Sequence, residues 1–378
     1  MQKSHQYINP KIHQNSLTTD QYLSSQSFPN FSKKSCTPEH HLKQHEILSP
    51  YQFGFRKNHS TSMAVTQFTE KVYDIIENRK FAIATFLDLS KAFDLVNHSF
   101  LLQKLTHYGI RGIANDWINS YLENRKQFVH YNNTQSSMLN ITCGVPQGSI
   151  LGPLLFILYI NDMNEQTQDS TLHYTLYADD TNLLISGDNI TDTTQRLNTH
   201  LNTLHQWFTS NHLFINISKT NYIIFTKKSS VARHNFEINL NNHTINRVHQ
   251  AKFLGVITDS NLNWQHHISH IKSKISKVIG ILYRTRQKIS TKLLISLYNA
   301  LILPHLTYCI TIWGKTFKKY TNEIILIQKK ILRIIARLHP SHIQHLYLHA
   351  TTFFISITFT PITHFYLPTN FTTTTYLP

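Results

Sequence analysis

The sequence predicts an α+β fold, with the strands gathered in its middle and helices concentrated towards its end. Three observations carry this. Phe81 to Asp88 (FAIATFLD) is a nearly unbroken apolar run rich in β-formers, the pattern of a strand covered on both faces. His173–Tyr177 and Asn182–Ser186 are β-like runs flanking Ala178-Asp179-Asp180-Thr181, which reads as a hairpin. Between residues 265 and 340, apolar side chains recur with helical spacing in three successive stretches.

The elements follow in order. Residues 1–46 are rich in Ser, Gln, His, Asn and Thr without sustained periodicity and read as irregular chain. Asn58-His59-Ser60 precedes a helical pattern with Ala64, Val65, Phe68, Val72, Ile75 and Ile76 on one side. After the 81–88 strand, Phe93–Leu105 and Ile113–Tyr121 read as helices. Ser149 is a candidate N-cap for a helix carrying Leu154, Leu155, Ile157, Leu158 and Ile160, with Pro153 in its first turn. Leu197–Trp207 predicts a helix, and Tyr222–Thr226 and Ala251–Ile257 predict strands. In the basic stretch, Ile268, Ile271, Ile275, Val278, Ile279 and Leu282 stripe a first helix. Leu293, Leu294, Leu297 and Leu301 stripe a second that Pro304 ends, and Ile324, Ile325, Ile327, Ile331, Leu332 and Ile335 a third. Residues 346–378 form a Thr- and Phe-rich tail with neither period.

Composition narrows the function. The 378 residues suffice for a sizeable core, with 41% hydrophobic residues. The longest apolar run, Ile150 to Ile160, is 11 residues and contains Gly152 and Pro153, whereas a membrane span needs about 20. The first ten residues, MQKSHQYINP, lack the apolar core of a secretory signal, so the expected location is intracellular, in cytoplasm or nucleus. Three dispersed cysteines, Cys36, Cys143 and Cys309, exclude a disulfide scaffold and a disulfide-linked partner. The net charge of +16 is concentrated, because residues 265–340 hold 14 basic side chains against one acidic one, Glu323. Lys272, Lys274, Lys277, Arg284, Arg286, Lys329, Lys330, Arg333 and Arg337 fall largely off the apolar stripes. A basic face is commonly only a solvated face, yet a field this one-sided predicts contact with nucleic-acid backbone. His266, His267 and His270 lack acidic or cysteine companions and read as surface histidines, not a metal site.

Three aspartates are oddly placed for structural residues. Asp88 ends an apolar strand, and Asp179-Asp180 occupies the hairpin tip. A carboxylate at a buried strand end is costly unless paired or bound to a cation, and adjacent carboxylates repel. Mg²⁺ accepts a few carboxylates and completes its shell with water and phosphate oxygens. Two such ions about 4 Å apart can activate an attacking hydroxyl and stabilise a leaving oxygen. A plain turn, which Asp favours, satisfies the same spacing.

The surrounding words add a resemblance. Phe86-Leu87-Asp88-Leu89-Ser90-Lys91-Ala92-Phe93-Asp94, then Gly144-Val145-Pro146-Gln147-Gly148-Ser149-Ile150-Leu151-Gly152-Pro153, then Tyr177-Ala178-Asp179-Asp180 occur in that order. Leu48 to Lys57 (LSPYQFGFRK) stands upstream. Asn216 to Thr220 (NISKT), Lys252 to Val256 (KFLGV), Pro304 to Cys309 (PHLTYC) and Trp313-Gly314 follow downstream. Together, over residues 47 to 345, they resemble the reverse transcriptase of non-LTR, LINE-type, jockey-like retrotransposons. The resemblance implies a polymerase right hand: partial fingers, a palm with an antiparallel sheet and a helical thumb. Residues 47–264 would form fingers and palm, and 265–345 the basic thumb.

It also implies RNA-directed DNA polymerase activity, with an RNA template, a DNA primer and dNTPs as partners. By the same resemblance, Asp88, Asp179 and Asp180 would hold two Mg²⁺ ions, with Mn²⁺ as substitute. Phe93 would exclude a 2′-hydroxyl from the incoming sugar. Gln147 and Gly148 would lie under the templating base and nucleotide, and Arg56 would face phosphate. Lys219 would protonate departing pyrophosphate, and Phe253-Leu254-Gly255 would grip the primer. Against the family pattern, residues 1–46 lack an Arg-Pro-Ile-Ser run, and the family's usual N-terminal endonuclease is not among the 378 residues. The ends therefore read as those of a truncated or decayed copy, with weak polymerisation expected. The alternative is a catalytically inactive nucleic-acid-binding remnant.

Overall fold

The computed structural model describes residues 12–13, 41–42, 44–227, 236–314 and 316–337. Most of the irregular 1–46 stretch and all of the 346–378 tail lie outside the described residues. The end of the first stretch is built into the protein, since Leu42 is buried in the core.

The centre is a five-stranded sheet. Phe81–Leu87 (β1) is its middle strand and is buried at every position. On one side β1 pairs antiparallel with Asp180–Gly187 (β4), which pairs in turn with Leu172–Tyr177 (β3). On the other side it pairs antiparallel with Asn221–Phe225 (β5), and the short strand Asn246–Arg247 runs parallel to β5 at the edge. Alternate side chains divide β1 between two cores. Phe81, Ile83 and Leu87 point into the first, while Ala82, Ala84 and Phe86 point into the second. Burial on both faces explains why β1 reads as a continuous apolar run.

The first core is closed by His98–His107 (α2), Ile113–Leu122 (α3), Gly152–Tyr159 (α4) and Ile190–Ser210 (α5). The second is closed by Thr61–Glu77 (α1) and by three basic helices, Gln265–Thr285 (α6), Thr291–Leu301 (α7) and Lys318–Ala336 (α8). Ser60 caps α1 by accepting from the Met63 N–H, as its position before the apolar stripe predicts. Lys126–Tyr131 (β2) lies between α3 and α4 in the chain, outside the main sheet.

Several expectations are corrected. The helix expected over Phe93–Leu105 is divided into a 3₁₀ turn at Ala92–Leu95 and α2, because the Asn97 side chain accepts from the Phe100 N–H and starts a new helix there. Ser149 is not the cap of α4. The N-cap is Leu151, and the Ser149 hydroxyl instead accepts from the Gly152 N–H at 3.0 Å and donates to the Pro146 carbonyl at 2.7 Å. The strand expected over Ala251–Ile257 is a hairpin, Gln250–Phe253 (β6) and Val256–Asp259 (β7), turning at Leu254-Gly255 where both φ angles are positive. In α7 the inward residues are Leu294, Ile295 and Tyr298, while Leu293 and Leu301 are exposed. Lys329, expected on the basic face that meets nucleic-acid backbone, is buried. His267 is buried too, its Nδ1 near the Ile257 amide and its ring edge-on to Trp313. That removal from water pushes its pKa down to about 4, with His270 and Lys274 adding to the effect. His266 is exposed as expected.

Candidate active site

The strand register assembles the carboxylates. Leu87 stands opposite Thr181, and Tyr177 opposite Asp180, so Asp88 emerges from β1 beside the two-residue turn Ala178-Asp179 that joins β3 to β4. The turn is tighter than expected, since Asp180 and Thr181 already belong to β4. The backbone on either side of Asp88 is fixed: its N–H lies 3.4 Å from the Thr220 hydroxyl, and its carbonyl accepts from the Asn216 N–H at 2.7 Å.

Electrostatics show that the three carboxylates share one field. Desolvation is the largest cause raising both Asp179 and Asp180 above the ordinary value of 3.8. The Asp88 charge raises Asp179 further, and Asp179 and Asp88 together raise Asp180. Lys219 answers part of this negative charge, with Nζ 3.6 Å from Asp88 Oδ2. Among the described residues, no group of three or more His, Cys, Asp or Glu side chains is already closed around one point. The donor set nevertheless fits a hard cation: oxygen ligands only, mutually repelling and partly desolvated.

A second set of contacts surrounds Phe93. Its ring stacks on Phe156 with centroids 4.3 Å apart and meets Phe55 edge-on at 6.4 Å. The 144–148 loop docks against the same turn: the Gly144 N–H donates to Val96 O at 2.7 Å, and the Val145 N–H to Phe93 O at 2.9 Å. Gln147 Nε2 donates to Asp94 Oδ1 at 2.8 Å. Gly144 is required here, because its φ is +89° and a Cβ would come within 2.8 Å of the Asp94 carbonyl. The loop and turn help line a pocket of about 750 Å³ that Arg125 and Lys126 also line.

The remaining candidates are partly built into the scaffold. Arg56 Nη1 donates to the Ser49 and Gln52 carbonyls at 2.7 and 3.1 Å, so that nitrogen braces its own loop. Phe253 is buried among Phe68 and Phe86, with centroids at 5.5 and 5.7 Å, and presents no surface to a ligand. Leu254 and Gly255 form the β6–β7 turn, and the Tyr308 hydroxyl donates to the Leu254 carbonyl. Burial pushes the Tyr308 phenol up to about 12, which keeps it a donor. Sequence reasoning assigned no role to Tyr308, Gly144 or Gln52; all three lie inside motifs it had singled out.

The chain belongs to the reverse transcriptase (RNA-dependent DNA polymerase) family, whose pattern it matches over residues 33–258. Within that family it is similar to the RNA-directed DNA polymerase from mobile element jockey of Drosophila melanogaster, with 30% identity over 301 residues. That match covers 77% of this chain and 32% of the relative. The probable RNA-directed DNA polymerase from transposon BS of the same species is 29% identical over 325 residues, covering 82% and 34%. The chain thus spans about a third of the length of these relatives. Among solved structures, a telomerase from Candida tropicalis in complex with a fragment of telomeric RNA aligns with a TM-score of 0.41 and 12% identity, covering 86% of this chain and 55% of the other. Among the described residues, no helix is long and apolar enough to cross a membrane.

Proposed function

We propose that this chain carries the palm and thumb of an RNA-directed DNA polymerase that adds dNTPs to a primer 3′-hydroxyl opposite an RNA template. The observation that carries the reading is the convergence of Asp88, Asp179 and Asp180 at one end of the sheet, each raising or feeling the others' charge. In this reading Asp88 and Asp179 hold two Mg²⁺ ions, with Asp180 a weaker contributor and Mn²⁺ a substitute. Bound there, the ions would lower the pKa of the attacking hydroxyl and neutralise charge on the departing pyrophosphate.

The chain's own residues supply the positioning. In this reading Phe93, which packs on Phe156 and Phe55, sets its ring against the incoming sugar and excludes a 2′-hydroxyl. Gln147 and Gly148 offer amide and backbone to the templating base and nucleotide, Gln147 held by Asp94. Lys219, beside Asp88, is placed to give a proton to pyrophosphate. Arg56 contributes positive charge from a loop it braces itself. The turn at Leu254-Gly255 meets the primer end, with Phe253 its buried anchor, and the exposed lysines of α6 follow the duplex backbone.

The test is primer extension on poly(rA)/oligo(dT) with Mg²⁺, comparing the wild-type chain with Asp88→Ala and Asp179→Asn. Weak extension by the wild type, and its loss in both folded variants, is the expected result. Equal activity per folded molecule in all three would overturn the assignment.

A further inference from the structure

Gln52 lies in the upstream LSPYQFGFRK segment, outside the set of residues placed in the reaction, yet it is 2% exposed. Its Oε1 accepts two backbone N–H groups, from Gly54 at 2.8 Å and from Ala178 at 3.0 Å. Two N–H donors on one atom fix that atom as the amide oxygen. The neighbouring backbone follows the edge of β3: the Phe53 N–H donates to Leu176 O at 2.8 Å, and the Leu176 N–H to Tyr51 O at 2.9 Å. The fit is close enough that a Cβ on Gly54 would stand 2.4 Å from the Ala178 nitrogen.

Ala178 is the residue immediately before Asp179, and it has φ +54°. That left-handed conformation is costly for alanine and free for glycine. In the turn carrying the carboxylates, an alanine therefore occupies a glycine-like position, and its N–H is held from outside the hairpin by a buried side chain.

We propose that Gln52 is a positioning residue for the metal-binding turn: it clips the Ala178 N–H and so holds Ala178 left-handed, aiming Asp179 at Asp88. The inference rests on the reading of Asp179 as a metal ligand. Its physical content is that the clip offsets a backbone strain, so relieving the strain must make the clip dispensable. A residue that merely filled space in the core would not behave this way.

The test uses the full chain as Gln52→Leu, Ala178→Gly and the double variant, with thermal melts to select folded protein. Two readouts are taken: amide hydrogen exchange at residue 178, and Mn²⁺ affinity by water-proton relaxation. Gln52→Leu is expected to speed exchange at Ala178 and to weaken Mn²⁺ binding roughly ten- to hundredfold, the usual cost of losing an outer partner of a ligand. Adding Ala178→Gly should return the affinity to within about threefold of wild type, while exchange at residue 178 stays fast.

Wild-type exchange and affinity in Gln52→Leu would overturn the proposal, as would a loss that Ala178→Gly does not restore. If Gln52→Leu does not fold, Gly54→Ala perturbs the same nitrogen sterically and should lose Mn²⁺ affinity with Gln52 intact; wild-type affinity there would overturn the clip. Failure of the underlying reading looks different. Wild-type protein would then bind Mn²⁺ no better than Asp179→Asn, and exchange at Ala178 would still decide whether Gln52 holds the turn.

Discussion

Replacing Asp179 by asparagine should abolish extension and yet stabilise the metal-free protein. Asp179 is raised above 3.8 by desolvation and by the Asp88 charge. For an acid raised in the folded state, the stabilising contribution is complete below the unfolded pKa and is lost as pH rises through the folded one. At pH 7 the ionised side chain therefore opposes folding. A tenfold change in an acid dissociation constant corresponds to about 1.4 kcal/mol. The turn is partly open to solvent, which screens the interaction, so about 1 kcal/mol or less is the expected gain for Asp179→Asn. For a chain of 378 residues that raises Tm by about 1 °C or less. The gain should vanish near pH 3, where the wild-type carboxyl is protonated as well. Mg²⁺ should reverse the order, because an ion bound only by the folded wild type adds RT ln(1 + [L]/Kd) to its stability. The assay is a set of melts at pH 3 and 7, each with and without Mg²⁺, beside primer extension. An Asp179→Asn protein less stable than wild type at pH 7 without metal would refute the electrostatic argument.

Three further outcomes are expected. Phe93→Val opens space next to Phe156 and Phe55 and should raise the ratio of ribonucleotide to deoxynucleotide incorporation; an unchanged ratio in a folded, active variant removes Phe93 from the gate. Binding of an RNA–DNA hybrid should fall steeply with salt, by about 0.9 in log K per log unit of salt for each phosphate neutralised on a B-like duplex, and charge reversal at Lys272, Lys274 and Lys277 should flatten that slope. Asp169 is held well below the usual carboxylate range, since hydrogen bonds from Thr171 and His200 and the Arg196 charge together outweigh its desolvation. Asp169→Asn should therefore cost about 1–3 kcal/mol at pH 7, with the difference from wild type disappearing as acid titrates the native carboxylate; equal denaturation midpoints at pH 7 would refute this.

Much of the site was legible because its chemistry conflicts with its surroundings. An aspartate closing the run FAIATFL, and two more at the tip of an apolar hairpin, are expensive without a cation, and the expense is visible in one dimension. The register that brings Asp88 beside Asp180 was not legible, because a strand buried on both faces has no alternation to set its phase. The same loss of phase explains α7, where TKLLISLYNAL is apolar around most of its circumference and packing against α6 and α8 selected Leu294, Ile295 and Tyr298. His267 reads as a surface residue because its histidine neighbours lack acidic or cysteine companions, whereas its burial comes from packing against β7 and Trp313 that the spacing does not reveal. Phe253 belonged to a motif and to the core at once, and only the ring contacts with Phe68 and Phe86 separate the two. Gln52 stands inside the LSPYQFGFRK motif, but its role was not legible, since a buried amide that steadies a distant turn looks like any polar residue in a loop.

The aromatic group of Phe68, Phe86 and Phe253 rivets the β6–β7 hairpin to the sheet and to α1. Tyr308 ties the tip of that hairpin to the segment between α7 and α8, and Asp259 accepts the N–H groups of Asn261, Asn263 and Trp264 where the chain enters α6. The joint between the sheet and the basic helices is thus held by contacts on both sides of residue 264. Swinging the helices as a lever would expose part of the core they share with Ala82, Ala84 and Phe86 of β1. The spacing from the hairpin tip to the lysines of α6 is thereby tied to the packing of that core.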